Sequence, residues 1–337
     1  CQQLVVIGGN HDSVSTLNES RELLACLNTF VVGGVTSNAE DQVKILKNKK
    51  GEPGAVICAI PFLRPKDVIE TQAGESIEDK QQALQQAIAD HYQNIYHEAE
   101  KLSDQSLPII ATGHLTTVGG QITESVREIY IGTLSAFPAS AFPKADYIAL
   151  GHLHRPQIVA GQEHIRYSGS PIALSFDEAS TDKQVIIVDF QEEKLHSIES
   201  VPVPVFRHLI SIKGSIDEID QQLEALILDP CSLNSWLEIE VTTDVYFHDL
   251  QNRVEQLVLA KKKLHTCELL RVRKKREKTP SSLTIADRET LSELSVEDVF
   301  HQRLIQEELS EEQTQKLTSV FHSILNSIHD DKKEEIV

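Results

Sequence analysis

Methionine is absent from the 337-residue chain, tryptophan occurs once, and the five cysteines (Cys1, Cys26, Cys58, Cys231, Cys267) are scattered with no CxxC pair. Without a methionine, residue 1 is not an initiator, and the chain is expected to be a segment of a longer protein. Unpaired cysteine spacing points away from a zinc ribbon or a disulfide framework and fits a reducing, cytoplasmic setting. No apolar run approaches 18 residues, and the opening CQQLVVIGG carries no basic segment. Neither a membrane span nor a signal peptide is therefore expected. Basic residues are in the minority, 32 against 51 acidic, for a formal charge of −19. That excludes coating of nucleic acid through overall charge and leaves only a local basic face. No GxxxxGK[ST] occurs, so any ATP hydrolysis belongs to another chain.

What is present is ordinary globular material, 40% hydrophobic and 25% charged, enough for two or three domains. Continuous apolar runs read as buried strands at Leu4–Ile7, Gly54–Phe62, Leu107–Thr112 and Ala145–Leu150. Helical spacing marks Ser13–Leu27, with Leu17, Leu23, Leu24 and Leu27 on one side. A long amphipathic helix is expected over Ile77–Leu102, where Leu84, Ile88, Tyr92 and Ile95 share a face. A β-rich stretch follows, to VPVPV at 201–205, whose prolines suit a linker or an edge strand. The series predicts a sandwich of sheets flanked by helices. Residues 207–272 then read as β-α-β-α-β, a small α+β domain. A polar hinge, RKKREKTPSS, leads to an acidic helical tail.

Three segments share one construction. LVVIGGNHD, PIIATGHL and ADYIALGHLHRP each run from a buried strand through glycine into a polar cluster. The polar residues are Asn10, His11 and Asp12, then His114, then His152 and His154. Ligands in such sheets bind beyond the carboxyl ends of strands, so all three clusters should share one rim. Imidazole and amide oxygen suit divalent ions such as Mn²⁺, Fe²⁺ or Zn²⁺. A lone Gly-His means little; the three together argue for a metal site.

GNHD, GH and GHxH, in that order at strand ends, resemble the later motifs of the calcineurin-like metallophosphoesterases. The blocks GNHDSVSTLNES, IPFLRP, IIATGHLTTVGG, DYIALGHLHRPQ, YSGSPIALSFDE and ETLSELSVEDVF are similar to the SbcD family of bacterial nuclease subunits, and they span nearly the whole chain. The resemblance implies an α/β (α+β) fold: a metallophosphoesterase β-sandwich over 1–204, an α+β DNA-capping domain over 205–278, and a helical partner-docking segment over 286–328. It implies a two-manganese centre (Mg²⁺ as an alternative) that hydrolyses DNA. Asn10, His114 and His152 would hold one ion and His154 the second, with His11 protonating the leaving oxygen and Asp12 orienting from behind. The implied partners are DNA and an SbcC-type ATPase, in a heterotetramer containing a homodimer of this chain. The helix around Glu19–Leu27 is a candidate for that pairing.

The chain departs from the family pattern in one respect. The family opens with an Asp-x-His and a Gly-Asp motif, and neither pattern occurs anywhere in the 337 residues. Asp90-His91 is adjacent rather than spaced and is expected on a helix surface. These residues alone should therefore bind two metals poorly and cleave little. Two further features are weaker. The basic run from Lys261 to Lys278 reads either as a solvated face or as a phosphate-contacting patch using Arg271, Arg273, Lys274, Lys275 and Arg276. Leu291, Leu294, Val296, Val299, Phe300, Leu304 and Leu309, then Leu317, Val320, Phe321, Ile324 and Leu325, form apolar stripes for packing or partner docking. Arg155 and the Tyr167–Pro171 turn lie near the rim; the turn is expected to be structural. Two alternatives stay open: a small-molecule phosphodiesterase of the same superfamily, and a non-catalytic scaffold joining DNA to the ATPase.

Overall fold

The computed structural model describes residues 2–69, 77–104, 106–120, 136–227, 233–243, 249–261, 264, 266–275, 300, 316–318, 320 and 321. The chain divides into two compact units, Cys1–Glu277 and Lys278–Val337.

In the first unit, β1 (Leu4–Ile7) leads into the short helices α1 (Val14–Glu19) and α2 (Arg21–Ala25), followed by β2 (Thr29–Val32). β1 and β2 pair in parallel as a two-stranded sheet. Next come β3 (Val43–Lys47), β4 (Pro53–Cys58), α3 (Pro65–Val68), α4 (Ile77–Ser103), β5 (Ile109–His114), β6 (Tyr147–Gly151), β7 (Gln157–Val159) and β8 (Gln162–Tyr167). Their strands form a six-stranded sheet in the order β3-β4-β5-β6-β8-β7. Its centre, β4-β5-β6-β8, is parallel, and only the two edge strands run antiparallel. β9 (Gln184–Gln191) and β10 (Lys194–Pro202) make a separate antiparallel pair. The strand–helix series and the later antiparallel pair thus appear as expected.

The helix α4 forms because its apolar residues recur at helical spacing and find a sheet to cover. Leu84, Ile88, Tyr92, Ile95 and Ala99 are all sealed from solvent, together with Val56, Cys58, Ala111 and Ile148 of the sheet. Each fully buried Leu or Ile contributes about 1.5–3 kcal/mol relative to exposure.

The segment Ser13–Leu27 departs from the single helix expected of it. Ser13 caps α1 by accepting from the Thr16 N–H, but the backbone leaves helical geometry at Ser20 (φ −94°, ψ 4°) and restarts as α2. Neither piece buries a residue, and Leu23 and Leu27 are 71% and 70% exposed. The spacing is helical, but the apolar side has no core beneath it. His91 differs in the opposite sense. It is half-buried, with its ring 3.3 Å from the Gln42 side-chain oxygen, and burial lowers its pKa.

β11 (Arg207–Gly214), α5 (Ile216–Ala225), β12 (Leu233–Thr242), α6 (Leu250–Ala260) and β13 (Cys267–Lys275) realise the expected β-α-β-α-β. All three strands run parallel in the order β11-β12-β13. α5 opens with a capping box in which Ser215 and Glu218 satisfy each other's backbone donors. This region has its own core, built on Ile212, Ile219, Leu223, Leu237, Ile239, Val241, Val254 and Val258. In the second unit, the rings of Phe300 and Phe321 stack 3.8 Å apart. The remaining residues of the predicted tail stripes lie outside the described residues, apart from Leu317 and Val320, which are exposed.

Gly113 is where this packing leaves no slack. A Cβ there would sit 2.0 Å from the Tyr92 hydroxyl and 3.0 Å from Leu150 Cδ2. Gly113→Ala should cost about 1–3 kcal/mol in urea unfolding through overpacking. In a Tyr92→Phe background the same substitution should cost clearly less, because the obstructing oxygen is gone. Equal costs in both backgrounds would contradict this reading.

Candidate metal centre

The sheet register builds the rim. On β5 and β6, His114 lies directly across from Gly151, so His152 emerges one residue later beside the His114 ring. The two ring centroids are 5.2 Å apart. β1 belongs to a different sheet, yet its exit loop meets the same point. Asn10 Oδ1 accepts from His114 Nε2 at 2.7 Å, across 104 residues of sequence. The loop is anchored by Gly8, whose N–H donates to Val32 and whose carbonyl accepts from Phe62.

Glycine is required here because the His114 ring fills the space a side chain would take. A Cβ on Gly9 would stand 2.7 Å from that ring, and one on Gly151 would stand 3.1 Å from its Nδ1. Gly9 is also bound by Asp12, whose carboxylate accepts its N–H at 2.7 Å. Asp12 therefore closes the loop that carries Asn10 and His11. His11 itself is exposed on the rim, near enough that its charge bears on both His114 and His152.

The electrostatics of the cluster favour neutral imidazoles. Burial, reinforced by repulsion from His152, His11 and His154, pushes the His114 pKa down to about 3. Burial, then the charges of His154 and His11, brings His152 down to about 4. His152 is 7% exposed, has a left-handed backbone (φ 96°), and buries an Nε2 with no hydrogen-bond partner among the described residues. Such φ values are costly for a residue with a Cβ and collect at functional sites. An orphaned buried imidazole nitrogen calls for a ligand.

These observations fit a divalent cation: neutral imidazole lone pairs and an amide oxygen converge where burial disfavours protonation. Asn10, His114 and His152 are the residues that could hold it. Among the described residues, no group of three or more His, Cys, Asp or Glu is placed to hold an ion. The three histidines His114, His152 and His154 are thus not gathered into one such group, and the donors closest together are Asn10, His114 and His152. His154 is oriented by a contact that the sequence did not disclose. Its Nδ1 is 3.0 Å from Oε1 of Glu178, a carboxylate wholly shielded from solvent. The Tyr167–Pro171 turn is structural, as expected: Tyr167 is buried and donates to the Leu115 carbonyl, and Gly169 (φ 79°) lies against the His154 carbonyl.

The basic run, which its sequence leaves open between a solvated face and a phosphate-contacting patch, has several of its described members engaged with carboxylates on neighbouring elements. Arg271 and Arg273 both turn onto Glu238, which is buried in β12, and Lys275 lies 3.4 Å from Glu240. Lys261 pairs with Asp220 and Glu224. The reason is register, because Glu238 and Glu240 sit opposite Arg271 and Arg273 on the neighbouring strand. Lys274 also has interactions of its own, and Arg276 lies outside the described residues. Among the described residues, no helix is long and apolar enough to cross a membrane.

The family described as the Type 5 capsule protein repressor C-terminal domain matches residues 205–308. The chain is 52% identical over 326 residues to the SbcD component of the SbcCD nuclease of Escherichia coli K12, covering 96% of this chain and 80% of that protein. It is 32% identical over 235 residues to the SbcD component of Rhodobacter capsulatus (67% of this chain, 57% of that protein). For the SbcD component of Bacillus subtilis the identity is 29% over 249 residues (71% of this chain, 59% of that protein).

The depressed histidines make a stability prediction for the chain without added metal. Unfolded histidine titrates near 6.5, whereas the folded values are about 3 and about 4. Between those limits the unfolded state binds more protons. The stabilising difference is complete above pH 6.5 and is lost as pH falls toward 4 and 3. Urea unfolding from pH 7 to pH 4 should show stability falling by up to about 1.4 kcal/mol per pH unit for each histidine. A His114→Gln/His152→Gln variant should flatten the profile; an unchanged slope would refute the assignment.

Proposed function

The chain belongs to the SbcD family of nuclease subunits, and we propose that it hydrolyses DNA phosphodiesters at the rim formed by Asn10, His11, His114, His152 and His154 with two divalent cations, manganese first among them. The fold and the enzyme class are those of the family, a hydrolase acting as a nuclease. The observation that carries the site assignment is the orphaned, buried Nε2 of His152 beside His114 and Asn10.

Divalent ions held there would polarise the phosphoryl centre and offset charge that builds on its oxygens. The chain's own residues do the rest. Asn10 supplies an amide oxygen that accepts from His114 Nε2 at 2.7 Å, a hydrogen bond an ion would have to replace, and His152 supplies a buried nitrogen. His11, exposed beside them, delivers a proton to the departing 3′-oxygen. Asp12 keeps His11 in place through the closed 9–12 loop.

An SbcC-type ATPase is the partner this family implies, and a homodimer of this chain within a heterotetramer is the arrangement we propose. Exposed Leu23 and Leu27 support a pairing surface at α2. Phosphate contact through β13 would require Arg271, Arg273 and Lys275 to exchange their glutamate partners, so we place DNA recognition mainly at the rim.

The test uses a labelled DNA hairpin, Mn²⁺ and an SbcC-type ATPase. Two proteins are compared: this chain, and a fusion carrying a relative's Asp-x-His and Gly-Asp segments ahead of residue 1. Cleavage should be much faster in the fusion. It should fall about 10²–10⁴-fold in His11→Ala, the usual size of a lost general acid. Full activity in His11→Ala would overturn the assignment, as would cleavage that ignores His152→Ala.

A further inference from the structure

Behind His154 lies a buried network of polar groups. Glu178 sits in a 3-10 turn, Phe176–Glu178, and is fully shielded from solvent. Its Oε1 accepts from His154 Nδ1 at 3.0 Å, and its Oε2 is 2.6 Å from the ammonium of Lys183, also buried. That ammonium donates further to Ser170 Oγ at 2.9 Å and to the His154 carbonyl at 3.2 Å. The Ser170 N–H donates to the same carbonyl at 3.1 Å, and the Leu174 N–H donates to Glu178 Oε2 at 3.2 Å. Both the ring and the backbone of His154 are therefore held by one ion pair.

A buried ion pair is a poor stabilising device, because desolvation of two charges consumes most of their attraction. Two apolar residues of similar volume would serve packing as well. What an apolar pair could not do is fix a proton. An ionised carboxylate only accepts, so the His154 ring must carry its hydrogen on Nδ1 and present a bare Nε2. Lys183 donates to the other oxygen of Glu178 at 2.6 Å, which leaves Oε1 to face the His154 ring. Metal-binding histidines are characteristically held this way, by a carboxylate on the far nitrogen.

We propose that Glu178, backed by Lys183, is a positioning residue that locks His154 in the Nδ1–H tautomer and aims Nε2 into the rim. The proposal rests on the reading of His154 as a metal ligand, but its first readout does not. Nitrogen-15 NMR of the histidine rings at pH 8, without metal, should show His154 as a single tautomer protonated at Nδ1. Glu178→Leu/Lys183→Met removes the ion pair without stranding a charge. It should fold, as its backbone spectrum will report, yet give His154 as a mixture of tautomers and bind Mn²⁺ about 10–100-fold more weakly. Glu178→Gln/Lys183→Met keeps an oxygen acceptor and should restore the tautomer and most of the affinity.

A wild-type ring protonated at Nε2 would overturn the proposal. So would an unaltered tautomer and affinity in the Leu/Met variant, or equal losses in the Leu/Met and Gln/Met variants, which would mark packing as the cause. His154→Ala separates the two readings. If it leaves Mn²⁺ affinity intact while the tautomer result stands, His154 is not a ligand, and the metal assignment fails rather than the lock.

Discussion

The space occupied by one imidazole ring sets the terms for the rest of this structure. His114 ends a central parallel strand, and its ring lies 2.7 Å from where a Cβ of Gly9 would be and 3.1 Å from where one of Gly151 would be. Three chain segments reach the ring only because two of them carry no side chain at the point of approach. Behind it, Gly113 allows Tyr92 of α4 to close on the strand. The long helix, the sheet register and the β1 exit loop thus converge on a single volume. A methyl group at Gly9 or Gly151 would press on the His114 ring, and one at Gly113 on Tyr92 and Leu150 of the core.

Desolvation follows from that convergence and supplies the chemistry. A ring enclosed by backbone loses water, and a histidine without water resists protonation. Neutral, unhydrated imidazole is what a divalent cation requires, so packing that stabilises the fold also prepares the donors. His152 bears the cost in its left-handed backbone and in an unpaired Nε2. His154 follows another route, with its Nδ1 held by a carboxylate on the side opposite Nε2.

Much of this was legible in the sequence. Strand ends followed by glycine and histidine mark the rim because parallel sheets place their carboxyl ends together, and PIIATGHL and ADYIALGHLHRP meet by that rule, whereas LVVIGGNHD reaches them from a separate sheet through the Asn10–His114 contact. The α4 face was equally plain, since its period needs only local spacing. What escaped notice depends on residues far apart in the chain. Glu178 and Lys183 lie 24 and 29 residues beyond His154, with no period linking them. Along its own strand the basic run reads as an unpaired charged surface. Its neutralising partners, Glu238 and Glu240, alternate on the adjacent strand and become visible only once the register is known. The split at Ser20 had no local marker beyond a serine, and the exposure of Leu23 and Leu27 depends on the absence of a core beneath them.

The most direct measurement is diffraction from crystals of the chain equilibrated with Mn²⁺, collected at the manganese absorption edge. A metal centre at the rim predicts an anomalous peak at coordinating distance from His152 Nε2 and Asn10 Oδ1, with the His114 ring turned to share it. A peak confined to surface carboxylates, with the Asn10–His114 hydrogen bond intact and His152 Nε2 still unpaired, would contradict it.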